Sequence, residues 1–310
     1  MLKIYTAEEI HQRLDYPRLI EALSEAFRVQ GVEQPLRSSY AVSGGEAPAR
    51  LLSMPAWKQG DAIGVKLVTV FPENSAKGLG AVSAVYVLFD GETGVPRAIF
   101  DGEAITNRRT AAASALASSH LSRPDSATLL LVGTGNLAPF LAEAHSAVRP
   151  IARVLVWGRD SGKAERLAAK LRACGVPSEP VGDLAAATGQ ADIISCATTS
   201  SEPLIRGQHL RPGVHLDLVG AFTPQMRETD DEAVAQASVF VDTYTGALAE
   251  AGDLLQAAQS GAWSAEKVRA DLHELAAGLK PGRSAAGEIT LFKSVGAAIE
   301  DLTAAKLVLA

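Results

Sequence analysis

The sequence predicts an α/β protein, a Rossmann-type doubly wound parallel sheet joined to an α+β domain. The apolar, β-rich run Thr128-Leu129-Leu130-Leu131-Val132 feeds directly into Gly133-Thr134-Gly135-Asn136-Leu137-Ala138 and a helical pattern through Val148. Beyond it, strands expected at 128–132, 153–157, 191–197, 214–219 and 238–242 alternate with helical segments, the arithmetic of an open parallel sheet. Upstream, from Met1 to about Arg123, helix and strand mix without that rhythm, and Arg123-Pro124 marks the crossing between domains. The expected layout is a first domain over 1–122, a Rossmann domain over 123–292, and a C-terminal helix over 293–310 that returns to the first domain.

Each element has a local reason. Met1 to Ile10 reads as a strand entering a capped helix, and a second helix spans roughly Tyr16 to Gln30. Strands are expected around Ala49 to Met54, Ala62 to Phe71, Val82 to Asp90 and Val95 to Asp101, with Gly91-Glu92-Thr93-Gly94 as a hairpin connection. An Ala- and Ser-rich helix runs from Thr110 to Leu121. The segment before Arg50, Ala47-Pro48-Ala49, reads as entry to a strand.

The composition narrows the function classes. A hydrophobic share of 47% with 21% charged residues is ordinary for a globular chain, and no apolar run reaches membrane-spanning length. The start lacks a secretory apolar region, so a soluble cytoplasmic protein is expected. The net charge of −6, without a basic stripe, argues against nucleic acid as a partner. Cys174 and Cys196 have no metal-ligand spacing, so no zinc site or disulfide framework is expected.

The G-x-G-x-x-A run reads as a pyrophosphate cradle: Gly133 for the tight turn, Gly135 for close approach of the backbone, and Ala138 for packing of the helix on the strand. The β-α-β unit closes with Arg153-Val154-Leu155-Val156-Trp157. An NAD site places an acid near the end of that second strand to hold the ribose 2′-hydroxyl. This chain has Gly158-Arg159-Asp160-Ser161-Gly162-Lys163 there. Arg159, with Ser161 and Lys163 beyond it, suits a 2′-phosphate and favours NADPH, with NADH as the alternative. Asp160 either caps the following helix or, should the strand run longer, serves as the ribose acid.

The order of further motifs is specific: Gly64-Val65-Lys66, Phe71-Pro72-Glu73-Asn74, Leu88 to Gly94, Ile105-Thr106-Asn107-Arg108-Arg109-Thr110-Ala111, the glycine pattern, then Phe292-Lys293-Ser294-Val295-Gly296. The chain resembles the ornithine cyclodeaminase/μ-crystallin family along nearly its whole length. The resemblance implies a homodimer, a first domain that supplies substrate contacts and the dimer interface, and a Rossmann domain that presents the nicotinamide across a cleft. It further implies that Arg50, Lys66 and Arg109 surround a substrate carboxylate, and that Ser83, Arg109, Asn136, Leu137, Thr198, Phe222 and Val295 line the cofactor. Where the cyclase carries Gln, this chain has Leu137. A small 2-carboxylate substrate needs such cations to offset its desolvation, and Lys66, set inside an apolar strand, could also pass a proton.

One departure discriminates within the family. After the fourth expected strand of the parallel sheet the chain reads Asp217 to Glu228, with Phe222 where the cyclase carries an acid. Ornithine cyclisation needs a general base for the δ-ammonium, which phenylalanine cannot be. A ring already closed as C=N needs only hydride. The Gly220-Ala221-Phe222-Thr223-Pro224 pattern resembles the ketimine reductase branch, which implies reduction of Δ1-pyrroline-2-carboxylate to proline and of Δ1-piperideine-2-carboxylate to pipecolate. The alternatives are cyclodeamination, alanine or N-alkyl amino acid dehydrogenation, and non-catalytic NADPH-dependent binding.

Overall fold

The computed structural model describes residues 2–42 and 49–310, the side chains of residues 75 and 76 excepted. Residues 47 and 48, read above as strand entry, lie outside the described residues. Two compact units result: Met1–Thr110 with Ala297–Ala310, and Ala111–Gly296.

The first unit is built on one sheet. Its strands are β1 (Lys3–Tyr5), β2 (Val32–Glu33), β3 (Ser38–Ala41), β4 (Arg50–Lys58), β5 (Ala62–Val70), β6 (Val82–Asp90) and β7 (Pro96–Asp101). They run in the order β1-β7-β6-β5-β4-β2, with β3 also on β4, and only β1 with β7 is parallel. Helix α1 (Ala7–Arg13) begins in a capping box, in which Glu9 N–H donates to Thr6 Oγ1 and Thr6 N–H to the Glu9 carboxylate. Asp15 caps α2 (Tyr16–Arg28), whose apolar stripe Leu19, Ile20, Leu23 and Phe27 is buried. Helix α3 (Gly102–Leu121) starts eight residues before the expected Thr110 and is shared by both units.

Along β5 the residues Ala62, Gly64, Lys66 and Val68 are buried and their neighbours are not, the period-2 signature of a sheet covered on one side. The cover is helix α11 (Ala298–Leu309), which packs on β4, β5, β6 and α2. The helix expected from Lys293 therefore begins at Ala298. Lys293 instead ends a strand that supplies a rung of the other sheet.

That second sheet is wholly parallel. It comprises β8 (Thr128–Val132), β9 (Arg153–Trp157), β10 (Ser178–Pro180), β11 (Ile193–Cys196), β12 (His215–Leu218), β13 (Ser238–Val241), β14 (Val268–Asp271) and β15 (Thr290–Lys293), in the order β10-β9-β8-β11-β12-β15-β13-β14. Connecting helices are α4 (Ala138–Val148), α5 (Ser161–Ala173), α6 (Leu184–Thr188), α7 (Asp231–Gln236), α8 (Tyr244–Glu250), α9 (Gly252–Gln259) and α10 (Leu272–Ala276). Near-continuous apolar strands such as Leu129–Val132 are buried on both faces, as a parallel sheet covered by helices requires. Within this core Asp217 accepts from Ser114 Oγ (2.8 Å) and Ser195 Oγ (2.6 Å) and sits 3.1 Å from His145 Nε2. Both serines and the histidine address the carboxylate and are sealed from solvent, so this cluster of four side chains fastens α3 and α4 to the sheet; it is not arranged as a nucleophile with its base.

Candidate active site

The nucleotide cradle lies at the carboxyl end of β8. Gly133 has φ +120°, and a Cβ there would stand 2.6 Å from the Ala197 carbonyl oxygen, so the fold itself demands glycine. Gly135 differs. Its φ is ordinary and no heavy atom lies within 4 Å of an added Cβ, so nothing within the chain requires a glycine there. Close approach by a ligand backbone or phosphate would. Helix α4 follows with Leu137 at its N-cap and no side-chain cap, leaving its N-terminal dipole open to an anion. A cavity of about 390 Å³ adjoins it, lined among others by Gly133, Gly135, Trp157, Arg159, Lys163 and Thr198.

β9 ends at Trp157, three residues before Asp160. Asp160 is the N-cap of α5 and accepts from Lys163 N–H at 3.0 Å, which settles its open role in favour of the cap. Arg159, Ser161 and Lys163 are exposed around it. The charge offered at the rim of the cavity by Arg159 and Lys163 is positive.

A buried ionic network shapes the loops after β11 and β12. Lys293 donates to the carbonyls of Leu218 (3.2 Å) and Gly220 and stands 3.5 Å from Asp253. Asp253 in turn accepts from the N–H groups of Glu228 (2.8 Å) and Thr229 (2.9 Å). Glu228 accepts from Thr198 N–H (2.7 Å) and Oγ1 (2.8 Å), so the hydroxyl proton of Thr198 is committed inside the protein. Burial pushes the Glu228 carboxyl up to about 7. A Cβ on Gly220 would collide with Thr198 O and Glu228, and Ala221 takes φ +51°. This turn delivers Phe222 outward at 41% exposure, so the ring is no core filler. Val295 is buried in the core of its unit, and its N–H donates to Asp242 at 2.7 Å.

In the other unit Lys66 and Arg109 converge on a residue the sequence reading missed. Asp301 Oδ1 accepts from Lys66 Nζ and from Arg109 Nε, each at 2.9 Å, and Oδ2 lies 2.7 Å from Lys66 Nζ. Arg109 Nη1 also donates to Glu300 at 2.6 Å. All four side chains are buried. The Arg109 and Lys66 charges hold the Asp301 carboxyl below its ordinary range against the effect of burial. Burial above all, then Arg109, lowers Lys66 to about 8 against the pull of Asp301, and Arg37 lowers it further. Arg37 was also missed.

Arg50 behaves differently from the other two cations. It is exposed, and its Nε donates to Ser39 Oγ at 2.8 Å. Pairing of β3 with β4 and of β4 with β5 puts Ser39 opposite Leu52 and Met54 opposite Lys66, so Arg37 and Arg50 share the Lys66 face by pleat. Ser83 pairs with Thr69, one step out of phase with the Lys66–Tyr86 pair, and is exposed on the opposite face. A legible trace of Asp301 existed: it interrupts the apolar stripe Ala298, Leu302, Ala305, Val308 of α11, where a charge needs a partner.

Comparison with known proteins identifies relatives along the whole chain. Residues 2–310 match the ornithine cyclodeaminase/mu-crystallin family. A Δ1-pyrroline-2-carboxylate reductase of Paracoccus denitrificans is 41% identical over 96% of this chain and 92% of its own. The structure of the Thermococcus litoralis Δ1-pyrroline-2-carboxylate reductase in complex with NADH and L-proline superimposes with a TM-score of 0.94 at 35% identity, covering 99% of this chain and 96% of that one. An archaeal alanine dehydrogenase dimer with bound NAD follows at 0.91 and 30% identity, covering 99% and 94%. With its glycine cradle, its strand-borne lysine and its full-length match, the chain belongs to the ornithine cyclodeaminase/mu-crystallin family.

Proposed function

We propose that this protein is an NADPH-dependent reductase of cyclic ketimines, converting Δ1-pyrroline-2-carboxylate to proline and Δ1-piperideine-2-carboxylate to pipecolate. The observation that carries the choice within the family is Phe222, exposed at the position where a cyclodeaminase has its acid. An apolar ring there leaves no base to activate a δ-ammonium and is compatible with the hydrocarbon edge of a closed ring.

The residues fit a dinucleotide: Gly135 and the uncapped start of α4 would take the pyrophosphate, and Arg159 with Lys163 the adenosine 2′-phosphate. The chemistry supplied by the bound cofactor is a hydride for C2 of the imine. Arg109, pinned through Glu300 and Asp301, presents a fixed positive charge for the carboxylate of the substrate. Lys66 shares that attraction and holds the proton that the imine nitrogen needs for C2 to become electrophilic. The NADH-bound relative makes NADH the competing cofactor, and the absence of an acid at the end of β9 favours NADPH.

A homodimer is part of the proposal. The sheet face opposite Lys66 carries Ile63, Val65, Leu67, Val85 and Val87, none of them buried within the chain, and Leu67 is 37% exposed. A second copy laid on that face would remove the apolar surface from water. The test of the whole reading is oxidation of NADPH and of NADH with each imine, run beside pyruvate with ammonia and pyruvate with methylamine. Turnover confined to the pyruvate mixtures would move the protein to the alanine or N-alkyl amino acid dehydrogenase reading.

A further inference from the structure

Asp301 occupies a position where a carboxylate is hard to keep. It lies on the buried stripe of α11, fully enclosed, and ionises only because two cations meet it from different elements, Lys66 on β5 and Arg109 on α3. The two cations are not equivalent. Arg109 is held as a fork by Asp301 and Glu300 and stays charged at every accessible pH, whereas an ammonium in the same enclosure can release its proton. Lys66 Nζ meets both oxygens of Asp301, Oδ1 at 2.9 Å and Oδ2 at 2.7 Å, with Thr106 Oγ1 at 3.4 Å beside them, so the carboxylate fixes where the ammonium sits.

We infer that Asp301 is a positioning residue that keeps Lys66 protonated and aimed, so that Lys66 rather than solvent delivers the proton to the imine nitrogen. The inference rests on the ketimine reductase reading. The step balances: the Lys66 N–H bond breaks, an N–H bond forms on the imine, hydride adds to C2, and Lys66 recovers its proton from water after product leaves. The charged and titratable groups around the pair are Glu300 on α11, Arg109 on α3, Arg37 ahead of β3 and Tyr86 on β6, with the Thr106 hydroxyl beside them. Tyr86 is buried and neutral, its phenol held well above the ordinary value by enclosure and by Asp301, and it adds no charge. Arg109 and Arg37 push the proton off Lys66, and Asp301 opposes them.

The sign follows. A proton donor must be charged, so kcat/KM on Δ1-piperideine-2-carboxylate falls as pH rises through the Lys66 value of about 8. Asp301→Asn keeps the shape and one acceptor but removes the opposing charge, so this alkaline limb should move down by about one pH unit or more, a loss of about tenfold where both limbs are falling. Asp301→Glu should return the limb toward its original place. Lys66→Arg, which cannot deprotonate in this range, should abolish the limb at a lower rate. Independently of turnover, the 13Cε resonance of Lys66, assigned by comparison with Lys66→Arg, should titrate at the pH of the limb in the unmodified protein. That measurement stands even if Asp301→Asn does not fold. A limb that stays in place in Asp301→Asn, or a Lys66 resonance that titrates elsewhere, would overturn the proposal while leaving the reductase reading intact. Failure of the unmodified protein to reduce either imine would instead remove the reading on which it rests.

Discussion

Gly135→Ala separates a glycine kept for the ligand from a glycine kept for the fold. In the free chain the new methyl meets no heavy atom within 4 Å, and the backbone there is not left-handed. Stability should therefore change little, or rise by about 0.4–1 kcal/mol through the unfolded state. Binding is another matter, because the methyl would stand where the pyrophosphate must approach. Each backbone N–H bond to a charged phosphate contributes about 1.5–3 kcal/mol, so losing one weakens NADPH about ten- to 150-fold. The assay is a fluorescence titration of NADPH beside a thermal melt, with Gly133→Ala as the contrast. At Gly133 the φ of +120° and the 2.6 Å approach to Ala197 O predict a collapse in melting temperature instead. Native NADPH affinity in a stable Gly135→Ala protein would refute the cradle, and a large drop in its melting temperature would refute the distinction between the two glycines.

Other substitutions probe the remaining parts. Arg159→Ala should weaken NADPH far more than NADH, by about 1.5–3 kcal/mol if one charge-assisted bond to the 2′-phosphate is lost, as read by the ratio of the two dissociation constants; equal losses would count against the assignment. Lys66→Met should lower kcat/KM by about 10²–10⁴ while NADPH binding persists. Because Lys66 is buried on Asp301, its melting temperature should fall as well, though Arg109 still compensates the carboxylate. Glu228→Gln tests the network under Phe222. The folded value of Glu228, about 7, lies above its unfolded one, so its ionisation favours the unfolded chain. The unmodified protein should therefore lose stability relative to the variant as pH rises from the ordinary carboxylate range through 7, in paired melts across that window.

Much of this was written in the sequence because local chemistry decided it. The strands that run unbroken in Leu, Val and Ile, such as Leu129–Val132 and Val154–Val156, announce a parallel sheet buried on both faces, and Asp15, Thr6 and Asp160 stand where helices need caps. The short strands β10 and β14 carry too little pattern to be seen, and nothing local says that β15 enters between β12 and β13. The cation set shows the same limit. Lys66 was legible as a charge inside an apolar strand, but its counter-ion arrives from 235 residues away on a helix whose register no local signal fixes. Arg37 and Arg50 are separated only by strand pairing: both lie on the Lys66 face, yet Arg37 acts on the ammonium while Arg50 turns to Ser39. Asp160 was ambiguous until the end of β9 fixed it as a cap.

The most direct test of the account follows the hydride itself. NADPH carrying deuterium at both C4 positions of the nicotinamide is incubated with Δ1-pyrroline-2-carboxylate and with Δ1-piperideine-2-carboxylate, and the products are read by mass spectrometry beside an incubation of L-ornithine with NAD⁺. Proline and pipecolate should each bear one deuterium at C2, with no ammonia released from ornithine. Ornithine-dependent proline formation with ammonia release, or imines left unreduced beside a bound cofactor, would contradict it.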